Sequence, residues 1–194
     1  HVEPFQVRTP ADVRRLPVTA AARLLDEGRS WGRPRLAYRD VASATNRLTL
    51  IAAIIPRGHV TVHTLFCLRT PLGLRDQEFL CGVLNSFISN YLVRLRVTTH
   101  VTTRIMSRLP VPRPPAHSPR FARIADLSGR LLRSSAPQQE PAYPALQAAV
   151  AHLYGLTADE LQHILGTFPL IDDGTKALTM ARFESCDPST RAAG

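Results

Sequence analysis

The sequence predicts an α+β fold: a small mixed sheet packed on one long helix, followed beyond a proline-rich linker by a helical tail. Three observations carry that expectation. Short β-branched and apolar runs recur between residues 35 and 68, one strong helical stripe runs from residue 76 to about 95, and helix-start signals gather after residue 117. At 194 residues the chain suits one domain, or one with an appendage, and can bury an ordinary core without disulfide bonds.

Residues 1–33 read as a connector, with Thr19 capping a short helical run over residues 20–25 that stops near Gly28. Three strands are expected next, over residues 35–42, 48–55 and 60–68, punctuated by the loop around Asn46 and by Pro56 and Gly58. The second is apolar almost throughout, which predicts a central position. In the third, His59, Thr61 and His63 share one face, and Val60, Val62 and Thr64 share the other.

Over residues 76–95, Leu80, Val83, Leu84, Phe87, Ile88, Tyr91 and Leu92 recur at helical spacing, with Asp76 available as the cap and Cys81, Asn85 and Ser89 expected nearer the flank. Asn85 reads as a cap for a nearby loop backbone rather than a contact to a ligand. Residues 97–108, rich in Thr, β-branched residues and Arg, read as a strand or an extended loop lying across a surface. Pro110, Pro112, Pro114, Pro115 and Pro119 exclude regular helix and central strand from the next stretch, which sets a boundary near residue 114. Beyond it, Ser118-Pro119 starts a helix, a second begins near Pro144 and closes at Gly155, and Thr157 with Glu160 forms a capping box for a third. The last dozen residues read as a frayed tail.

The formal net charge is +9, and its distribution says more than its total. Residues 1–113 hold 17 Arg against seven acids, so the basic excess lies wholly in the first part. No acid stands between Glu78 and Asp126, yet Arg94, Arg96, Arg104, Arg108, Arg113, Arg120 and Arg123 do. A polyanion such as double-stranded DNA is the natural partner of such a stretch, and a solvated basic face is the alternative. Candidate DNA contacts are Arg39, Arg47 and Arg57 around the strand loops, and Arg94, Arg96, His100, Thr102 and Arg104 beyond the long helix. Arg39 and Asp40 also suit a structural pairing that fixes the first strand.

Catalytic signatures are missing. There is no glycine-rich turn after a strand for S-adenosylmethionine, and no Asn/Asp/Ser-Pro-Pro-aromatic motif to grip a flipped adenine; Pro114-Pro115 stand between Arg113 and Ala116. Asp172, Asp173 and Lys176 read as a surface turn rather than a nuclease centre, and His59 with His63 lacks a third metal ligand. Cys67, Cys81 and Cys186 are odd in number and widely spaced, which argues for reduced thiols. With no membrane-length apolar run and no signal peptide at the start, the chain reads as cytoplasmic. Its first residue, His1, fits an excerpt from a longer polypeptide.

The stretch RLAYRDVASATNRLTLIAAIIPRGHVTVHTL, followed by GVLNSFISNYLVR and RIMSRLPVP, resembles the TaqI-like C-terminal specificity domain of adenine DNA methyltransferases and restriction-modification enzymes. AVAHLYGLTADELQHILGTFPLI resembles the helical tail that follows this domain in long phage-defence methyltransferases, so the resemblance spans about residues 35–171. It implies a connector over 1–33, a DNA target-recognition domain over 34–113 and a helical extension over 114–194. It also implies a partner catalytic domain, in cis or in trans, that holds S-adenosylmethionine and methylates the base, this chain carrying no cofactor itself. A docking module for another defence-system subunit, without DNA contact, is the alternative.

Overall fold

A computed structural model of the chain describes residues 2–8, 15, 17–20, 31–61, 63–68 and 71–185. The expected helical run from Thr19 to residue 25 lies mostly outside them. The chain opens with a tight hairpin, β1 (Val2–Glu3) and β2 (Gln6–Val7). Phe5 in its turn has φ 65°, a left-handed conformation that strains a non-glycine residue. Burial of its ring, edge-on to Tyr143, and an N–H donated to the Ala52 carbonyl at 3.0 Å offset that strain.

The main sheet is antiparallel rather than mixed as expected, because β3 (Arg35–Arg39) lies between β4 (Ala52–Ile55) and β5 (Leu65–Cys67) and runs opposite to both. The register runs from Arg35↔Ile55 to Tyr38↔Ala52 on one side and from Ala37↔Cys67 to Arg39↔Leu65 on the other. This corrects the expectation that the second apolar run is central. Its first half is buried without being strand: the N–H groups of Thr49 and Leu50 both donate to Asn90 Oδ1, at 2.8 and 2.9 Å, in place of a neighbouring strand. The third run is also shorter than expected. Asp40 N–H takes the Thr64 carbonyl at 3.0 Å and the Arg35 guanidinium takes the His59 carbonyl, so His59 and His63 lie exposed in the loop before β5 rather than on a strand face.

The single helix expected over 76–95 is two helices, α1 (Leu74–Leu84) and α2 (Phe87–Arg94). Ser86 divides them: its hydroxyl donates to the Val83 carbonyl at 2.7 Å and accepts the Ser89 N–H at 3.1 Å, closing one helix and capping the next. Gly73 occupies the N-cap position of α1, and Asp76 sits in its first turn instead of capping it. Residues 97–101 form a loop with a bend at Thr98 and Thr99, joined to Val41 by one bridge at His100, and α3 (Thr103–Ser107) replaces the expected continuation of strand or extended loop.

The proline stretch is free of helix and strand up to Pro115. Ser118 then caps α4 (Pro119–Arg133), Gly155 at φ 71° closes α5 (Ala142–Tyr154), and the Thr157–Glu160 capping box opens α6 (Ala158–Gly166), as the sequence predicts. A further helix, α7 (Asp173–Ser185), takes in the first three of the dozen residues expected to fray; residues 186–194 lie outside the described ones. The fold is α+β, as expected. One hydrophobic core joins Leu36 and Ala53 of the sheet to Phe87 of α2 and to Leu131, Leu146 and Leu161 beyond the prolines. Gly82 lets α1 approach α4 and α5 closely, because a Cβ there would stand 3.1 Å from the Ser128 Cβ and 3.2 Å from Ile124 and Leu146.

Candidate nucleic-acid interface

A long apolar helix interrupted at two polar residues needs partners for the backbone groups freed at the break. Asn85 and Gln147, both fully buried, supply them. Gln147 Oε1 accepts the Phe87 N–H at 2.8 Å, and Asn85 Oδ1 and Nδ2 bond the Ala52 N–H and carbonyl at 3.0 and 2.9 Å, as an adjoining strand would. Cys81, Asn85 and Ser89, expected at the helix flank, are buried instead: Asn85 and Cys81 face the polar backbone of Ala52, whereas the Ser89 hydroxyl is buried without a hydrogen bond. Asn85 is structural, as its position suggested.

Arg94, a candidate DNA contact, belongs to this same buried face. Its Nε donates to Thr49 Oγ1 at 3.1 Å, Nη1 to the Thr167 carbonyl at 3.0 Å, and Nη2 to the Arg47 carbonyl at 3.1 Å and to the Asn46 carbonyl. The guanidinium lies 4.1 Å above the Phe168 ring. Burial lowers its pKa. Arg94 is a brace between the 46–49 loop, α2 and the segment after α6, with little donor capacity left for a phosphate.

Two residues on, the surroundings reverse. Arg96 is exposed and spends one N–H on the Leu92 carbonyl at 3.1 Å. The segment that follows is anchored by buried Val97, Val101 and Leu109, and by Val101 N–H to the Asp40 carbonyl at 2.8 Å and Ala42 N–H to the Thr99 carbonyl at 3.1 Å. His100 Nδ1 lies 2.9 Å from Asp40 Oδ2, so this histidine pins the segment to the end of β3. Thr102 caps α3, its hydroxyl accepting the Ile105 N–H at 3.3 Å. Arg104, with Arg108 and Arg113 beyond it, is exposed, and among the described residues none of the three side chains has a hydrogen bond or an ion pair. Arg108 and Arg113 lie outside the candidate contacts; membership of the acid-free run is their only signal in the sequence.

Arg39 and Arg47 form a second group. They line a cleft of about 550 Å³ together with Arg8, Glu3, Ile51 and Gln138. Arg47 donates to Gln138 Oε1 and to the Leu170 carbonyl at 3.3 Å, and Arg8 pairs with Glu3 at 2.9 Å. Arg39 has no such partner among the described residues: its Nε is buried without a hydrogen bond, and burial lowers its pKa. It therefore does not make the pairing with neighbours that offered a structural alternative. Arg57 is brought to neither group. It is exposed in the turn after β4, at the Arg35 end of the sheet, about 13 Å along β3 from Arg39 at the usual rise per residue.

Asp172 and Asp173 do not converge with Lys176 on a common point. Asp172 caps α7 by accepting the Thr175 N–H at 2.7 Å, whereas Lys176 pairs with Asp173 at 3.1 Å. Among the described residues no group of three His, Cys, Asp or Glu side chains could hold a metal ion, and no helix is long and apolar enough to cross a membrane. No protein-family model matches the chain, and no curated protein matches it.

Proposed function

We propose that this chain recognises double-stranded DNA, with the anchored segment over residues 96–113 as its DNA-facing surface. The observation that carries the reading is the set Arg104, Arg108 and Arg113: exposed cations whose side chains have no hydrogen bond or ion pair among the described residues, on a backbone held by buried valines and leucine, in a stretch of sequence without acids. Arginines in that state bind phosphates and release counterions, while an arginine can also pair with a guanine edge. Thr98, Thr99 and Thr103, exposed on the same segment, add hydroxyl donors for phosphate oxygens.

The resemblance to TaqI-like specificity domains supports a narrower reading. The chain is then the target-recognition part of an adenine DNA methyltransferase or restriction-modification protein, acting beside a catalytic domain that binds S-adenosylmethionine. The test is binding of the purified chain to mixed-sequence duplex DNA at several salt concentrations. Binding that weakens steeply as salt rises is expected; a folded chain that fails to bind at low salt makes the docking module the better account. Incubation with labelled S-adenosylmethionine and DNA is expected to give no methyl transfer.

A further inference from the structure

An arginine that is half-buried with no acceptor is costly, because desolvation of the guanidinium is not compensated by a carboxylate or carbonyl. Arg39 is in that position. It stands in the cleft with two further arginines against one acid, Glu3, which is taken by Arg8. The nearest carboxylate in sequence, Asp40, is bound to His100. Arg47 is positioned by Gln138, a neutral partner, and its charge is offset only in part by Asp172, whose carboxylate is held below the usual range chiefly by Thr175 and to a small extent by Arg47. The walls come from three separate parts of the chain: the β1–β2 turn, the 46–51 loop with β3, and the connection between α4 and α5. Leu48 and Ile51, both buried, add an apolar component to the lining.

We propose that this cleft is a binding site for a phosphate group, with Arg39 as its principal ligand and Arg47 as its second. A phosphate oxygen can take the terminal Nη–H groups of Arg39, which are not closed off as its Nε is, and supplies the missing countercharge; the guanidinium geometry favours a tetrahedral oxyanion over halide. The phosphate comes either from the DNA backbone or from a small phosphorylated molecule. The site is distinct from the 96–113 surface and does not depend on it.

The experiment uses the whole chain and two substitutions. Arg39→Met keeps the aliphatic stem without the charge; it removes no hydrogen bond, so the variant is expected to fold and to melt at the same temperature as the wild type or higher. Gln138→Glu places a carboxylate beside Arg47 and halves the net charge of the cleft lining, three arginines then facing two acids, without removing a side chain. Titration with inorganic phosphate and with pyrophosphate at low ionic strength, followed by calorimetry, is expected to show binding that each substitution weakens about tenfold or more. Duplex DNA titrated against the same proteins separates the sources. A parallel loss of DNA affinity in Arg39→Met assigns the site to a backbone phosphate, and unchanged DNA binding with lost phosphate binding assigns it to a free phosphorylated ligand. Phosphate binding by a chain that binds no DNA sustains the site while refuting the DNA reading. If neither phosphate, pyrophosphate nor DNA distinguishes Arg39→Met from the wild type, the proposal is overturned.

Discussion

Arg94 and Arg104 lie ten residues apart in the same acid-free run, and the molecule uses them in opposite ways. Around Arg94, polar side chains replace missing secondary structure: Asn85 and Asn90 stand in for a strand along residues 49–52, Gln147 bridges the helix break, and the arginine ties three segments together. Around Arg104 the anchoring is left to Val97, Val101 and Leu109, and the cations are exposed. A basic run is thus not a uniform surface. Its charges divide into those already satisfied by backbone carbonyls and those still available to a partner, and only the second kind carries an argument about binding.

The sharpest way to break that comparison is to remove Asn90. Asn90→Ala leaves two buried N–H groups, of Thr49 and Leu50, without an acceptor, and a loss of about 3 kcal/mol in unfolding free energy is expected from denaturant titration. Arg94→Ala should follow at about 2 kcal/mol, since four hydrogen bonds and the stack on Phe168 go while some of the carbonyls gain water. By contrast, Arg104→Ala and Arg108→Ala should each change stability by less than about 0.5 kcal/mol, because they remove no side-chain hydrogen bond or ion pair to the described residues. A large destabilisation by either would show that these arginines have a structural role and would erase the distinction.

The smallest expected effect concerns pH, at two helix-capping carboxylates. The Thr157 N–H and hydroxyl hold the Glu160 carboxylate below its usual pKa, and Thr175 does the same to Asp172. A folded-state pKa that is depressed contributes stability present above the unfolded value, here the ordinary carboxylate range near 4.5 and 3.8, and lost as pH falls through the lowered folded value. Unfolding curves taken from pH 7 to pH 3 should therefore show a shallower loss in Glu160→Gln than in the wild type.

Local signals were the legible ones. Ser118, Gly155 and the Thr157–Glu160 box act on backbone within three or four residues, so the starts and stops of α4, α5 and α6 can be read directly. The break at Asn85–Ser86 is hidden because the apolar period runs on through Phe87, Ile88 and Tyr91, and the groups that make the break tolerable come from residue 147 and from a strand 33 residues away. The same distance effect misplaced the central strand: residues 48–51 are apolar because they are buried, but Asn90 takes the N–H groups that a neighbouring strand would have used. Of the site candidates, Arg94 was the one most open to rereading. It follows Phe87 and Asn90 at the seven- and four-residue spacing of a single helix face, and that face is buried. Nothing in the sequence brings Arg8 or Gln138 to Arg39 and Arg47, because the cleft is assembled from segments some 130 residues apart in the chain.

The central claim is that available arginines, not total charge, make the DNA surface. It is tested most directly by the salt dependence of duplex binding for the wild type and for a variant with Arg104, Arg108 and Arg113 changed to alanine, each first shown to unfold at the same midpoint. Each lost phosphate contact lowers the slope of log K against log salt by about 0.9, so a slope shallower by about 2.7 is predicted if all three touch phosphates. A triple variant that binds with the wild-type affinity and the wild-type slope would contradict the account.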